Sequence, residues 1–443
     1  MAPRRLALLA SASAFVAIPA VTCAVTRHVP VEYGTINAGL DASSPGDSVL
    51  VAPGVYDQCE TRIMGNGCPN TAVAFLKGGV CLVSEAGASA TTLRLDASVT
   101  GPEVCTAFGE AGTVTVSGFT LSGTATGVNA IYFGFSDRLI VRDCVVADIA
   151  IGIGCVSGDV EVHDCRFENI RLSGGAINQT SGTLIVEDSE FLNCRQGAVA
   201  LRFDAAFPHA ASVTVRRCRF VGNEVTLGGG AGLYVQDYAS ALVEDSWFEA
   251  NRADGSSPSG GAILFGGYAL DVVIRGCTFA NNFVTGAGTG GGARIDCHDV
   301  TLENNTFYGN SQQIDWSHGG AAVTFGGWTQ VFRNNVIAHS AGDQAVGFWG
   351  TGSIETACNV YWDNPLGSTS GFQPDSTDLQ ANPMFCDVAA SDFHVNAASP
   401  CIPGNGNPSC TELIGAWPAG CGATSAGGSV ESRTWGSLKS LYR

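Results

Sequence analysis

The sequence predicts an all-β solenoid, a single rod of about ten stacked coils with a cap at each end. Three observations carry that prediction. The 443 residues include 58 glycines, and only 14% are charged, a turn-dense and helix-poor profile. A seven-residue element recurs as "TVSGFTL", "IVRDCVV", "EVHDCRF", "IVEDSEF", "TVRRCRF", "LVEDSWF", "VIRGCTF", "TLENNTF" and "VFRNNVI", with a weaker tenth copy in "ETACNVY". Its columns, finally, keep their chemistry from copy to copy.

The fourth position holds Gly118, Asp143, Asp164, Asp188, Arg217, Asp245, Gly276, Asn304 and Asn334. Gly, Asn and Asp tolerate left-handed backbone, so this column reads as one bend per coil, with Arg217 the exception. The fifth position is small, polar or Cys. The seventh is mostly aromatic: Phe167, Phe191, Phe220, Phe248, Phe279 and Phe307. Positions five and seven share strand parity, so both should face inward and stack on their own kind. A coil this short cannot bury its own apolar face. Stacking coils at about 4.8 Å buries a common core and pairs each strand with the next coil. Parallel strands coiled in this way make a β-helix. Propeller blades would need four strands and antiparallel hairpins, and leucine-rich repeats would need a leucine ladder.

The N-terminal "GTINAGLDASSPGDSVLVAPGVY" is similar to the N-terminal cap of right-handed parallel β-helix proteins of the pectin-lyase-like superfamily. The closing "NPMFCD…DFHVNAASPCIP…LIGAWPAGC" looks like the last coil and cap of many bacterial β-helix proteins. The "GGAI" element at Gly260–Ile263 and the FxxN elements at Phe248–Asn251, Phe279–Asn282 and Phe307–Asn310 resemble repeats of chlamydial polymorphic outer-membrane proteins. The resemblance implies the fold over residues 30–421. It implies activity poorly. Polygalacturonase-like members carry Asp-Asp, Gly-His-Gly and Arg-Ile-Lys elements, whereas this chain has "SHGG", "ARIDC" with Asp296 in the lysine position, and no Asp-Asp.

Residues 1–24 read as a secretory signal peptide, with a basic start, an apolar stretch from Leu6 and small residues before Val25. The organisation expected is a cap with the first coils at 25–110, the repeats at 111–365 and a last coil with a Cys-rich cap at 366–421. A flexible linker and amphipathic tail, with Trp435, Leu438, Leu441 and Tyr442 at helical spacing, fill 422–443 and can dock or be sorted. Cleavage after Ala24 would leave no membrane span and sixteen of the seventeen cysteines. An even count in an exported chain points to disulfides. The candidates are Cys59 with Cys68, Cys81 with Cys105, and pairs among Cys386, Cys401, Cys410 and Cys421. Cys144 and Cys165 share one inward column, as a disulfide between coils or as buried thiols. A net charge of −18 disfavours nucleic acid and anionic surfaces unless a divalent cation intervenes.

The "GAGTGG" at Gly286–Gly291 leads into a strand rather than a helix, so it is not a dinucleotide site. The scattered histidines read as solvated loop residues. Counting seven residues from the glycines of the first element aligns Asp204, Asp237, Gly267, Asp299 and Gly327, with Arg202, Gln236, Arg294, Asp296 and His298 nearby. A carboxylate pair Asp204/Asp237 can bind calcium or supply acid and base for glycoside cleavage; a solvated acidic edge is the alternative. Tyr234, Phe265, Tyr268, Trp316, Trp328, Phe348 and Trp349 are candidate platforms for sugar rings. The function expected is binding of carbohydrate or a cell-surface partner along one face, with a polysaccharide lyase or hydrolase as the alternative.

Overall fold

A computed structural model describes residues 25–422, apart from residue 66 and residues 96–102, 125–127, 172–174, 196–200, 205–210, 227, 237–238, 256–258, 268–270 and 315–318. Residues 201–204, 211 and 239 are described by their backbone alone. The signal-peptide segment and the tail from residue 423 therefore lie outside the described residues. About eleven coils stack into the solenoid. A typical coil contributes one strand to each of three long parallel faces. In the coil that follows Gly260 these are Ile263–Gly266, Asp271–Arg275 and Thr278–Ala280. The first two faces join into one 24-stranded sheet, because Ala293–Glu303 and Val323–Arg333 run through the corner unbroken. The third face has 13 strands. The helix Ile36–Asp41 packs on the N-terminal strands, with Thr35 capping its first turn.

The repeat columns behave as their chemistry dictates. Every residue of the bend column from Gly118 to Asn334 has positive φ, including Arg217 at 50°. Arginine is tolerated there because its guanidinium bonds the Asp188 carboxylate of the preceding bend at 2.8 and 3.1 Å. The six phenylalanines from Phe167 to Phe307 are fully buried and lie nearly parallel, with centroids 4.6 to 5.0 Å apart. The Gly-Gly pairs are structural. Gly230, Gly260 and Gly290 are left-handed, and a Cβ on Gly261 would stand 2.1 Å from the Gly291 carbonyl oxygen.

Two ladders of buried amides run alongside the rings. Asn223, Asn251 and Asn282 each pass an Nδ2–H to the Oδ1 of the next, ending at Asn310, at 2.9 Å. Asn305, Asn335 and Asn359 form the second, which ends on the Asp378 carboxylate.

The cysteines depart from expectation. Cys386–Cys421 closes as a disulfide, but Cys410 pairs with Cys358 of the last repeat, and Cys401 is a buried free thiol. Cys59 and Cys105 are free thiols, so neither expected N-terminal pair closes. Their registers explain this. In the hairpin Cys68 lies opposite Met64, not Cys59, and Cys81 and Cys105 stand on different faces, beside Thr115 and Ile131. Cys144 and Cys165 are also free thiols, and Cys165 Sγ approaches the His163 and Val141 carbonyls at 3.2 and 3.6 Å. The C-terminal cap does more than close the rod's end. Its strands Phe385–Asp387, Asp392–Asn396 and Ala419–Cys421 belong to a segment that straps the outside of the third face. There Trp417 donates to Thr278 at 2.7 Å, and Phe393 packs on Tyr308 and Trp247.

On the second face a charged column occupies one register position in successive coils: Arg142, His163, Glu187, Arg216, Glu244, Arg275, Glu303 and Arg333. From Glu187 onward its sign alternates, which favours this register because each charge stands between opposite ones. His163, read from sequence as a solvated histidine, is buried beside Glu161 at 3.5 Å and Glu187 at 3.7 Å. Burial opposes its charge, but the hydrogen bonds to Glu161 and Glu187 outweigh that and the nearby Arg142, raising its pKa above the ordinary 6.5. Hydrogen bonds from His163 lower both glutamates below their ordinary 4.5. A raised histidine stabilises the fold fully below about 6.5 and loses that contribution as pH climbs through its folded value. The lowered carboxylates contribute above about 4.5 and lose it as pH falls. Thermal midpoints should therefore be highest between these limits. His163→Gln should flatten the decline between pH 6 and 8, and an unchanged decline would refute the assignment.

Candidate functional site

Strand alternation builds the site. In "ARIDCHDVTLE", Ala293, Ile295 and Cys297 are buried in the core, so Arg294, Asp296 and His298 share the outer side. Arg294 Nε donates to Asp296 Oδ2 at 2.7 Å, and its Nη1 reaches Ser259 Oγ at 2.9 Å. The guanidinium carbon lies 5.7 Å from the centre of the Trp349 ring. Asp296 is flanked by Gly326, where a Cβ would stand 2.4 Å from the Trp349 indole and 2.6 Å from Asp296 Oδ1. Only glycine lets the indole lie down there. Burial raises the Asp296 carboxyl above its ordinary 3.8, against the pull of Arg294 and a contact with Trp349. Its Oδ1 is buried, and no hydrogen bond of ordinary geometry reaches it.

Two exposed rings stand nearby, Trp349 against this pair and Trp328 against His298. Trp349 is 52% exposed and Trp328 is 65% exposed. Trp328 stacks on His298 with centroids 5.5 Å apart, and His298 Nδ1 lies 3.1 Å from Asp299. Tyr234 hydroxyl donates to Gln236 on the same outer side, two coils before Arg294. Gly266, between Gln236 and Asp296 in register, has nothing within 4 Å of where a Cβ would sit.

Register redraws the expected acidic pair. Asp204 stands opposite Gln236, not Asp237, and Arg202 opposite Tyr234. Asp237 lies outside the described residues, and of Asp204 and Arg202 only the backbone is described. Asp299 pairs with Asp271 and Thr329, two positions beyond the column it was counted into. The count failed because the equivalent glycines are Gly230, Gly260, Gly290 and Gly320, whereas the longer run around Gly290 invited a start at Gly292. Phe265 and Phe348, expected as sugar platforms, are buried, because they alternate inward with Ile263 and Val346. Tyr268 and Trp316 lie outside the described residues.

Ser259 and Gly326 escaped the sequence reading. The ring over Gly326 comes from Trp349 of the next coil, so no local motif signals it. A depression of about 350 Å³ elsewhere is lined by Asn169, Ile170, Arg171, Asn193 and Arg195. Its Arg171 is already bonded to the Gly123 and Asp148 carbonyls, and no ring borders it. The outer face at Asp296 is the better-equipped site. Among the described residues no group of three or more His, Cys, Asp or Glu is placed to hold a metal, and no helix is long and apolar enough to cross a membrane.

A family model described as the right handed beta helix region matches residues 105–269 and 217–360, more than half of the chain. A solved pectate lyase structure aligns at 14% identity and a TM-score of 0.42, covering 90% of this chain and 97% of that one. The A-module of an Azotobacter vinelandii mannuronan C-5 epimerase aligns at 15% identity and a TM-score of 0.43, covering 78% and 95%. No curated protein matches the sequence.

Proposed function

The chain belongs to the right-handed β-helix family, and from that premise we propose that it binds an uncharged glycan on the outer side of its first face. The observation that carries this reading is the pair of exposed indoles, Trp349 beside Arg294 and Asp296 just past the strand Val346–Phe348, and Trp328 stacked on His298 of the strand that carries them. An indole held by packing, as Trp349 is over Gly326, offers the apolar side of a sugar ring a large contact at small entropic cost, while the charged pair beside it can exchange hydrogen bonds with hydroxyls. The net charge of −18 favours an uncharged polymer over an acidic one. Two closed disulfides and the signal-like N-terminus support action outside the reducing cytosol.

A second reading, cleavage of that glycan, is favoured by one observation: a carboxyl, Asp296, stands beside the exposed Trp349 ring with its acidity lowered by burial. A panel of immobilised glycans, scored both for retention and for new reducing or unsaturated ends, separates the two. Trp349→Ala should weaken retention about tenfold, ~1.4 kcal/mol, with the fold intact. Retention equal to wild type would refute the binding site. A binder yields no new ends. An enzyme yields ends that Asp296→Asn abolishes while retention persists. A chelator arm tests the calcium proposed for Asp204 and Asp237, since a metal-dependent site loses retention in it.

A further inference from the structure

We propose that Phe108, with Tyr132 and Phe135, forms a second glycan contact, and that it and the Trp349 site grip the two ends of one uncharged chain laid along the solenoid axis. This rests on the glycan-binding reading above.

Register links the two places. Continuing the paired strands by one residue, the column that starts at Phe108 passes through Gly134, Val156, Thr180, Asp204, Gln236, Gly266, Asp296 and Gly326 and ends at Trp349. Nine strand steps separate its ends, a distance of ~43 Å. Both ends are built alike, with a ring lying over a glycine of the neighbouring coil. A Cβ on Gly134 would meet the Phe108 ring at 2.8 Å and Tyr132 at 3.0 Å, as one on Gly326 would meet Trp349 at 2.4 Å. Phe135 meets Phe108 edge-on at 5.5 Å and is 61% exposed. Gly266 leaves the floor open between them.

Contiguous exposed rings mark interaction sites. A polymer of hexoses presents apolar ring faces at intervals and hydroxyls between them, which matches rings at the ends of a floor that includes Thr180, Gln236 and Gly266. Engaging both ends makes the second contact intramolecular, so affinity should depend on chain length.

The test is calorimetric titration of cello-, xylo-, manno- and chito-oligosaccharides, trimer to decamer, into wild type, Phe135→Ala and Trp349→Ala, with folding checked by circular dichroism. For the series that binds, the octamer should bind at least roughly tenfold tighter than the tetramer, with little gain beyond. Phe135→Ala should erase that gain and leave tetramer binding unchanged, whereas Trp349→Ala should weaken both. Affinity independent of length, or a Phe135→Ala octamer that binds like wild type, overturns the second contact and leaves the Trp349 site standing. No binding in any series overturns the glycan reading itself.

Discussion

Replacing Phe279 by alanine should destabilise the rod by about 3–5 kcal/mol, the cost of deleting a fully buried phenyl ring. Phe279 sits mid-stack, 4.9 Å from Phe248 and 4.6 Å from Phe307. Its removal strips ring contact from both neighbours and opens a cavity that cannot easily collapse. The backbone on either side is fixed by parallel pairing of Thr278–Ala280 to Trp247–Glu249 and Thr306–Tyr308. Relaxation by closing the coils is therefore blocked, which puts the cost at the high end for a ring deletion. Phe279→Leu should recover part of the loss, because it refills volume without restoring the stack. Denaturant unfolding monitored by circular dichroism measures both variants. A Phe279→Ala midpoint near that of wild type would mean the ring column does not hold the coils together.

That column was legible because it depends only on strand parity and on a residue type that recurs. The left-handed bend was legible for the same reason: Asp143, Asp164, Asp188 and Asn304 announce their backbone by composition. The site was less so. Arg294 and Asp296 could be placed on one side of a strand from alternation. Whether Asp204 faces Asp237 or Gln236, however, depends on how many residues each loop inserts, and one residue of slip exchanges the partners. Coil length varies along this chain, so glycine counting cannot supply that number. Burial of His163 and of Phe348 was likewise hidden, since neither residue type declares its side. The disulfide between Cys358 and Cys410 depends on a strap that doubles back along the third face, and no local pattern in "ETACNVY" or "NPSCTEL" encodes that path. The repeat motif "FxxN" was visible as a motif, yet its physical role emerges only when coils are stacked.

That role gives the other large effect expected. Asn282→Leu should destabilise the protein by about 3–5 kcal/mol, because it strands several buried polar groups at once. The Asn282 Oδ1 accepts from the Asn251 backbone N–H at 3.0 Å and from Asn251 Nδ2 at 2.9 Å. Its Nδ2 donates to the Phe248 carbonyl and to Asn310 Oδ1, each at 2.9 Å. Leucine fills similar volume but answers none of these. The loss therefore comes from unpaired groups and not from a cavity, at about 1–3 kcal/mol for each buried group left unsatisfied, partly offset by the added apolar contact. Asn282→Asp separates the two halves of the interaction. Its oxygens still accept from Asn251, as Asp378 does at the end of the other ladder, but it cannot donate to Phe248 or Asn310. It should fall between wild type and leucine, and should approach wild type at low pH, where the protonated acid regains one donor. Equal midpoints for Asn282→Leu and wild type in chemical denaturation would show that the ladder is dispensable and that the rings alone set the stability of these coils.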